Sequence, residues 1–415
     1  MGCKQSTMGS SGVFDMASND LILHRVSESA KREFHAEYVL GSVLGRGAFA
    51  TVYEVQKTGA LEKNHRWAVK VMDLRADRRG RPMSASEEVD QKRRCSVEKE
   101  VELLRIVRPL RHCVTMIDCF IEGCISYVVM EKCACTLLHA LETTKVLNEH
   151  SLRGLFREMF EALAEIHRVQ VIHRDVKPDN FLCWDGSPCV KLCDFGLASI
   201  APPNNGNLSG VYGTPPFMAP EMLCGKGYNA KMDVWSLGVI AYVLLLGQFP
   251  YKPAEQHGKA MKAAIKAGVP APSFRPKSTA GKEVISITPD GLQFLKDVLN
   301  RSPELRPSAE DVLTFRWLEK AGSPADAKEA SNMPSLRPML YTARRIGAFD
   351  PPPKKSKGDE GKSGLDHLMD ELQEPHHKQT ERAVTGKSSL TPHSARSTDM
   401  GTSAGASSLA DRSVV

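Results

Sequence analysis

The stretch His173-Arg174-Asp175-Val176-Lys177-Pro178-Asp179-Asn180, followed after a short strand-like run by Asp194-Phe195-Gly196, constrains this chain more than any other. Two carboxylates, a lysine and an asparagine at these spacings are what a magnesium-dependent phosphoryl transfer requires. One carboxylate accepts the proton of an attacking hydroxyl, and others hold the metal that neutralises a nucleotide's phosphates. Either tripeptide alone arises by chance in unrelated chains; the full set, in order and at this distance, almost never does. At 415 residues the chain is too long for one small domain and has room for a two-lobed enzyme with tails.

The stretch resembles the catalytic loop of a protein kinase. The resemblance implies a bilobal α+β fold, with a small, mainly antiparallel β lobe carrying one key helix (38–132) and a larger, mainly helical lobe (133–318). It implies ATP and Mg²⁺ as cofactors and protein hydroxyls as substrates. By resemblance, Asp175 is the base, Lys177 steadies the γ-phosphate, and Asn180 and Asp194 are magnesium ligands. A lysine two residues after Asp175, together with Thr214 in the run from Gly213 to Glu221, resembles the serine/threonine branch rather than the tyrosine branch. Ala219-Pro220-Glu221 speaks against a small-molecule kinase. Asp233 to Gly238 resembles the buried helix that supports the catalytic loop, and Arg306 the structural partner of Glu221.

In the small lobe, Leu44-Gly45-Arg46-Gly47-Ala48-Phe49-Ala50-Thr51-Val52 resembles the kinase Gly-rich loop, with Ala50 in place of the third glycine. Glycines at 45 and 47 let backbone approach phosphates, Phe49 caps them, and Val52 packs on adenine. Lys70 lies in the apolar run Trp67 to Val71, so it needs a partner. In the family this lysine binds phosphates and pairs with a glutamate on the next helix, expected at Ser96–Val107. Glu100 is the favoured partner and Glu98 the competing one, on a different side of the helix. Between strand and helix, the charged stretch from Arg75 to Arg94 reads as a solvated loop, with a basic docking patch as the alternative. A hairpin around Glu122-Gly123 leads to Met130, Glu131 and Cys133, which resemble the adenine-binding hinge. The residues after it lack the acid that often holds ribose.

The net charge of +6 is modest and no aromatic and basic stripe is present, so nucleic acid is not an expected ligand. Eleven cysteines without paired C-x-x-C elements read as reduced thiols. No run is apolar enough for a membrane span. The amino terminus offers another route: Met1-Gly2-Cys3-Lys4-Gln5-Ser6 matches an N-myristoylation pattern at Gly2, with Cys3 available for palmitate. Two chains together anchor persistently where one does not. The expected location is the cytoplasmic face of a membrane, with 1–37 as an acylated arm whose last part, Asp20 to Glu37, can form a helix.

Asp194 to Glu221 reads as the activation segment. Relatives switched by phosphorylation carry a threonine or serine three residues before the Gly-Thr pair, where it meets the arginine before the catalytic Asp. That position is Gly210 here. Two readings stand: phosphorylation of the neighbouring Ser209, docking on Arg174, or a segment ordered without modification. Residues 319–415 are expected to be largely disordered, with two exceptions. Met333 to Phe349 either packs on the large lobe or binds a partner such as a calmodulin-like protein, although Pro338 is expected to break the helix such a partner needs. Leu365 to Leu372 follows a short helical face. No EF-hand loop is present, so direct calcium sensing is not supported. A calcium/calmodulin-kinase-like group is the expected subfamily, and a scaffold that keeps the fold without the chemistry is the rival from another class.

Overall fold

β-branched and aromatic residues fill five strands that pair in the order β1-β2-β3-β5-β4, each antiparallel to its neighbours. They are β1 (Tyr38–Arg46), β2 (Ala50–Lys57), β3 (Trp67–Asp73), β4 (Met116–Glu122) and β5 (Ile125–Glu131). This computed structural model describes residues 32–47, 50–59, 67–75, 89–184, 190–203, 206–255, 257–276, 286–319 and 333–349. Gly2, Cys3, Ala48, Phe49, residues 76–88 of the charged connection and the segment at 365–372 lie outside them.

In the middle of the sheet Val69 pairs with Val129 and Val71 with Tyr127, and all four are fully buried. The same register sets Lys70 between Val52 and Val128, so the lysine is fixed by its strand neighbours before it meets any charge. Of the helix expected from Asp20, the described part is the single turn α1 (Phe34–Glu37). Phe34 is buried, stacked on Tyr127 at 4.2 Å and edge-on to Phe120 at 5.7 Å. Arg32 ties this turn to the sheet through Glu37 and, at 2.8 Å, Asp118.

Helix α2 spans Gln91–Val107 and so begins five residues before the expected Ser96. Asp90 caps it, its Oδ1 accepting the Lys92 N–H at 2.8 Å. The first turn is polar and solvated, which is why apolar periodicity missed it. The stripe Val97, Val101, Leu104 and Val107 is buried, and Glu100 is buried with it.

The second lobe is built around helix Lys231–Leu246, which is buried from Met232 to its end. A helix apolar on every side belongs in a core. Helix Glu149–Arg168, whose helical periodicity is visible in the sequence only from Leu152 to His167, opens on a reciprocal cap in which Asn148 and Ser151 exchange hydrogen bonds at 3.0 Å. The buried Glu149 carboxylate accepts from Trp317 Nε1 at 2.7 Å and from Thr288 N at 2.9 Å, tying three distant segments together.

Residues 333–349 join this lobe. Helix Arg337–Arg345 packs on Lys231–Leu246, burying Met339, Leu340 and Ala343, with Leu336 and Phe349 buried at its flanks. The Leu336 N–H donates to Leu147 O at 2.8 Å, and Arg344 pairs with Glu142 at 2.8 Å. Pro338 does not break the helix. It occupies the first turn, where its missing N–H has no intrahelical partner to lose. Among the described residues no helix is long and apolar enough to cross a membrane.

Candidate active site

The site begins with the lysine that strand β3 holds in an apolar setting. Lys70 Nζ donates to Glu100 Oε1 at 2.6 Å and to Asp194 Oδ1 at 2.9 Å, linking the sheet, helix α2 and the Asp-Phe-Gly turn. Glu98 lies elsewhere, paired with Arg94 at 3.0 Å. Burial opposes the charge on Lys70, but the two carboxylates outweigh it and hold its pKa above the ordinary value. Burial pushes Glu100 up against the pull of Lys70. At Asp194 loss of water also favours the neutral acid, yet Lys70 prevails and the pKa is lowered. Lys70 and Asp194 are therefore held in their charged forms, whereas burial leaves Glu100 easier to protonate than a free carboxylate.

The catalytic loop is hung from a buried carboxylate. Asp233 Oδ2 accepts the His173 N–H at 2.9 Å and His167 Nε2 at 2.9 Å, and its Oδ1 accepts the Arg174 N–H at 3.0 Å. Its burial is complete and would raise its pKa, but these donors lower it. His173 Nδ1 accepts from the Asp175 N–H at 3.3 Å, so Nε2 carries the proton and donates to Cys193 O at 3.0 Å. The Cys193 N–H in turn donates to Asn180 O at 2.9 Å, which places Asp194 beside the loop. Phe195 is buried against the His173 ring at 5.1 Å.

Asp175 has one oxygen restrained and one beside a cation. Its Oδ1 accepts the Thr214 hydroxyl at 2.8 Å and the Thr214 N–H at 2.9 Å, while Oδ2 lies 3.6 Å from Lys177 Nζ. In the sequence Thr214 is a branch marker alone; its bond to Asp175 spans 39 positions and has no local signal. Asn180 Nδ2 donates to Asp175 O at 2.8 Å, so the amide oxygen is the end left for a ligand. That oxygen and the Asp194 carboxylate, with a side chain 47% exposed, are the hard donors magnesium takes. With such an ion bound, water and phosphate oxygens would complete its shell, so two protein oxygens fit it.

On the opposite wall, Gly45 pairs with Val52 and Arg46 with Thr51, and the Gly47 N–H donates to Ala50 O at 2.8 Å to close the loop. A Cβ at Gly45 would meet nothing within 4 Å, so packing within the protein does not explain the glycine there. Leu44 is exposed, and Met130 and Cys133 are half-buried. Glu131 is already engaged. Its Oε1 accepts from Thr115 N at 2.7 Å and Lys191 Nζ at 2.9 Å, and its own N–H donates to Thr115 O, leaving the carbonyl as its group for a base.

In the activation segment Ser209 is exposed, and its carbonyl accepts from the Tyr228 hydroxyl at 3.1 Å. Arg174 Nε donates to Leu197 O at 2.6 Å and Nη2 to Ala198 O at 3.2 Å, and the Tyr212 ring lies 4.4 Å from its guanidinium carbon. Glu221 and Arg306 form a buried two-point ion pair at 2.6 and 3.0 Å.

A family model described as "Protein kinase domain" matches residues 38–318. Serine/threonine-protein kinase KIC1 of Saccharomyces cerevisiae is 32% identical over 279 residues, which are 66% of this chain and 23% of that protein. The hormonally up-regulated neu tumor-associated kinase homolog of Xenopus tropicalis is 30% identical over 286 residues, 68% of this chain and 37% of that protein. Serine/threonine-protein kinase DCLK1 of Rattus norvegicus is 30% identical over 302 residues, 71% of this chain and 63% of that protein. The matches thus cover less than two thirds of each relative's length.

Proposed function

Because the chain belongs to the protein kinase family, we propose that it transfers the γ-phosphoryl group of ATP to serine and threonine hydroxyls of protein substrates. The observation that carries this reading is the Lys70–Glu100–Asp194 network, which joins both lobes in one charged cluster beside Asp175 and its loop. Lys70 neutralises phosphate charge, and Asp175 Oδ2 accepts the substrate hydroxyl's proton while Thr214 keeps the carboxylate from turning. Lys177 offsets charge on the transferred group. Magnesium, when bound to Asp194 and Asn180, stabilises charge on the phosphate oxygens. The preferred substrate hydroxyl is tested by incubating the full chain with labelled ATP, magnesium and a mixed peptide library. Label on serine and threonine is expected; label on tyrosine alone contradicts the branch assignment.

The reading extends to a membrane tether, with myristate on Gly2 and palmitate on Cys3 holding the enzyme at a cytoplasmic membrane face; the pattern Met1 to Ser6 supports it. Mass spectrometry of the amino-terminal peptide from cells should show both acyl masses, and Gly2→Ala should move the protein to the soluble fraction. An unacylated terminus in a membrane-free protein overturns it. We assign the chain to a calcium/calmodulin-kinase-like group. A calmodulin-like partner at 333–349 would have to displace the large lobe from Leu336, Met339, Leu340 and Phe349.

A further inference from the structure

Arg174 carries the charge that, in relatives switched by phosphorylation, receives the phosphate of the activation segment. Here that charge already has partners. Two of its N–H groups point to the carbonyls of Leu197 and Ala198, and the face of Tyr212 covers its guanidinium at 4.4 Å. The backbone around Tyr212 is shaped for this contact. Gly210 and Gly213, on either side, have φ of +92° and +95°, conformations that side chains rarely adopt. A Cβ at Gly210 would lie 2.5 Å from the Tyr212 ring, and one at Gly213 would lie 2.5 Å from Arg174 O. The first contact matters most: position 210 is where the phosphorylated side chain would stand, and the ring occupies that space. Next in the chain, Thr214 fixes Asp175 by two hydrogen bonds. On the other side, Leu208 exchanges backbone hydrogen bonds with Tyr228 at 2.9 and 3.0 Å.

We propose that Tyr212 is a positioning residue that holds the activation segment on Arg174 in place of a phosphate, so that transfer proceeds without phosphorylation of the segment. An arginine over an aromatic face is attracted by the ring quadrupole even when neither group is fully buried. The ring therefore does permanently what a modification does on demand. Of the two readings of the segment, the one ordered without modification follows, and Ser209 is not needed as a phosphate acceptor.

The inference rests on the kinase reading, and the test separates the two. The full chain is treated with phosphatase until mass spectrometry finds no phosphate between 194 and 221, and peptide phosphorylation is compared with the untreated protein. Equal kcat is expected. Tyr212→Phe, which keeps the ring, should match the native chain. Tyr212→Leu should lower kcat about tenfold, the size of a partly desolvated cation–π contact, with the KM for ATP changed less than twofold. In an Arg174→Gln background Tyr212→Leu should add nothing, because the residue acts through that arginine. Hydrogen exchange across 208–214 is followed in the native chain, Tyr212→Leu, Arg174→Gln and the double variant, since it does not depend on turnover. Faster exchange for Tyr212→Leu only when Arg174 is present supports the latch even if no phosphate is transferred, in which case the kinase reading alone fails. A tenfold loss of kcat on dephosphorylation, unchanged exchange in Tyr212→Leu, or an equal effect in both backgrounds overturns the proposal.

Discussion

Replacing Arg306 by leucine should destabilise the large lobe far more than replacing Arg306 and Glu221 together. The guanidinium is fully buried and Glu221 nearly so, with two charge-assisted bonds of 2.6 and 3.0 Å between them. Arg306 also donates to Asn300 O at 2.9 Å and Lys231 O at 3.0 Å and lies 5.0 Å from the Trp235 ring. Arg306→Leu leaves a carboxylate buried without its cation, which costs about 3–5 kcal/mol. Arg306→Leu with Glu221→Leu removes both charges, and a buried ion pair is close to neutral against apolar replacements. What remains is the loss of the two hydrogen bonds from Arg306 to backbone carbonyls, at roughly 1 kcal/mol each. The double variant should therefore lose about 2 kcal/mol and recover part of the single variant's loss. Urea unfolding of the full chain, with the slope m held in view, measures both. A single variant within about 1 kcal/mol of native, or a double variant less stable than the single, would mean that the unpaired Glu221 charge is not what costs stability.

Phe349→Ala should cost about 3–5 kcal/mol in thermal or urea unfolding, because the side chain is 3% exposed in the large lobe; a loss below about 0.5 kcal/mol would mean the segment does not belong to the fold. Acid should loosen the catalytic loop through Asp233. Its folded pKa lies below the ordinary value, so its contribution is complete above about pH 4 and is lost as pH falls towards the folded pKa. Asp233→Asn should be less stable than native at pH 7, and the difference should shrink below about pH 4. A difference constant from pH 7 to pH 3 contradicts the assignment.

Chemistry was more legible in the sequence than boundaries were. Lys70, Asp175, Lys177, Asn180 and Asp194 stand out because together, in order and spacing, they resemble the kinase motifs, and the structure gathers Lys70 with Asp194 and Asp175 with Lys177 and Asn180. Helix starts at Gln91 and Glu149 were missed because a helix's first turn is polar and its signal is the cap, Asp90 or Asn148, rather than a periodic apolar residue. Pro338 was misjudged for a related reason: proline's effect depends on its place in the helix, and its place becomes clear only once packing sets where the helix begins. Glu149 meeting Trp317, and Thr214 meeting Asp175, are long-range contacts without any local pattern. Tyr212 has no local signal either, because the ring's partner is an arginine 38 positions earlier.

The role of Asp175 as the base is tested by transfer of labelled phosphate from ATP and magnesium to a serine- and threonine-containing peptide, comparing the native chain with Asp175→Asn at equal folded concentration. Asparagine keeps the shape and an acceptor for Thr214 but cannot take the hydroxyl's proton, so kcat should fall by about 10²–10⁴. Equal transfer by both proteins, or none by a native chain that binds ATP, would contradict the catalytic assignment and leave the fold serving as a scaffold.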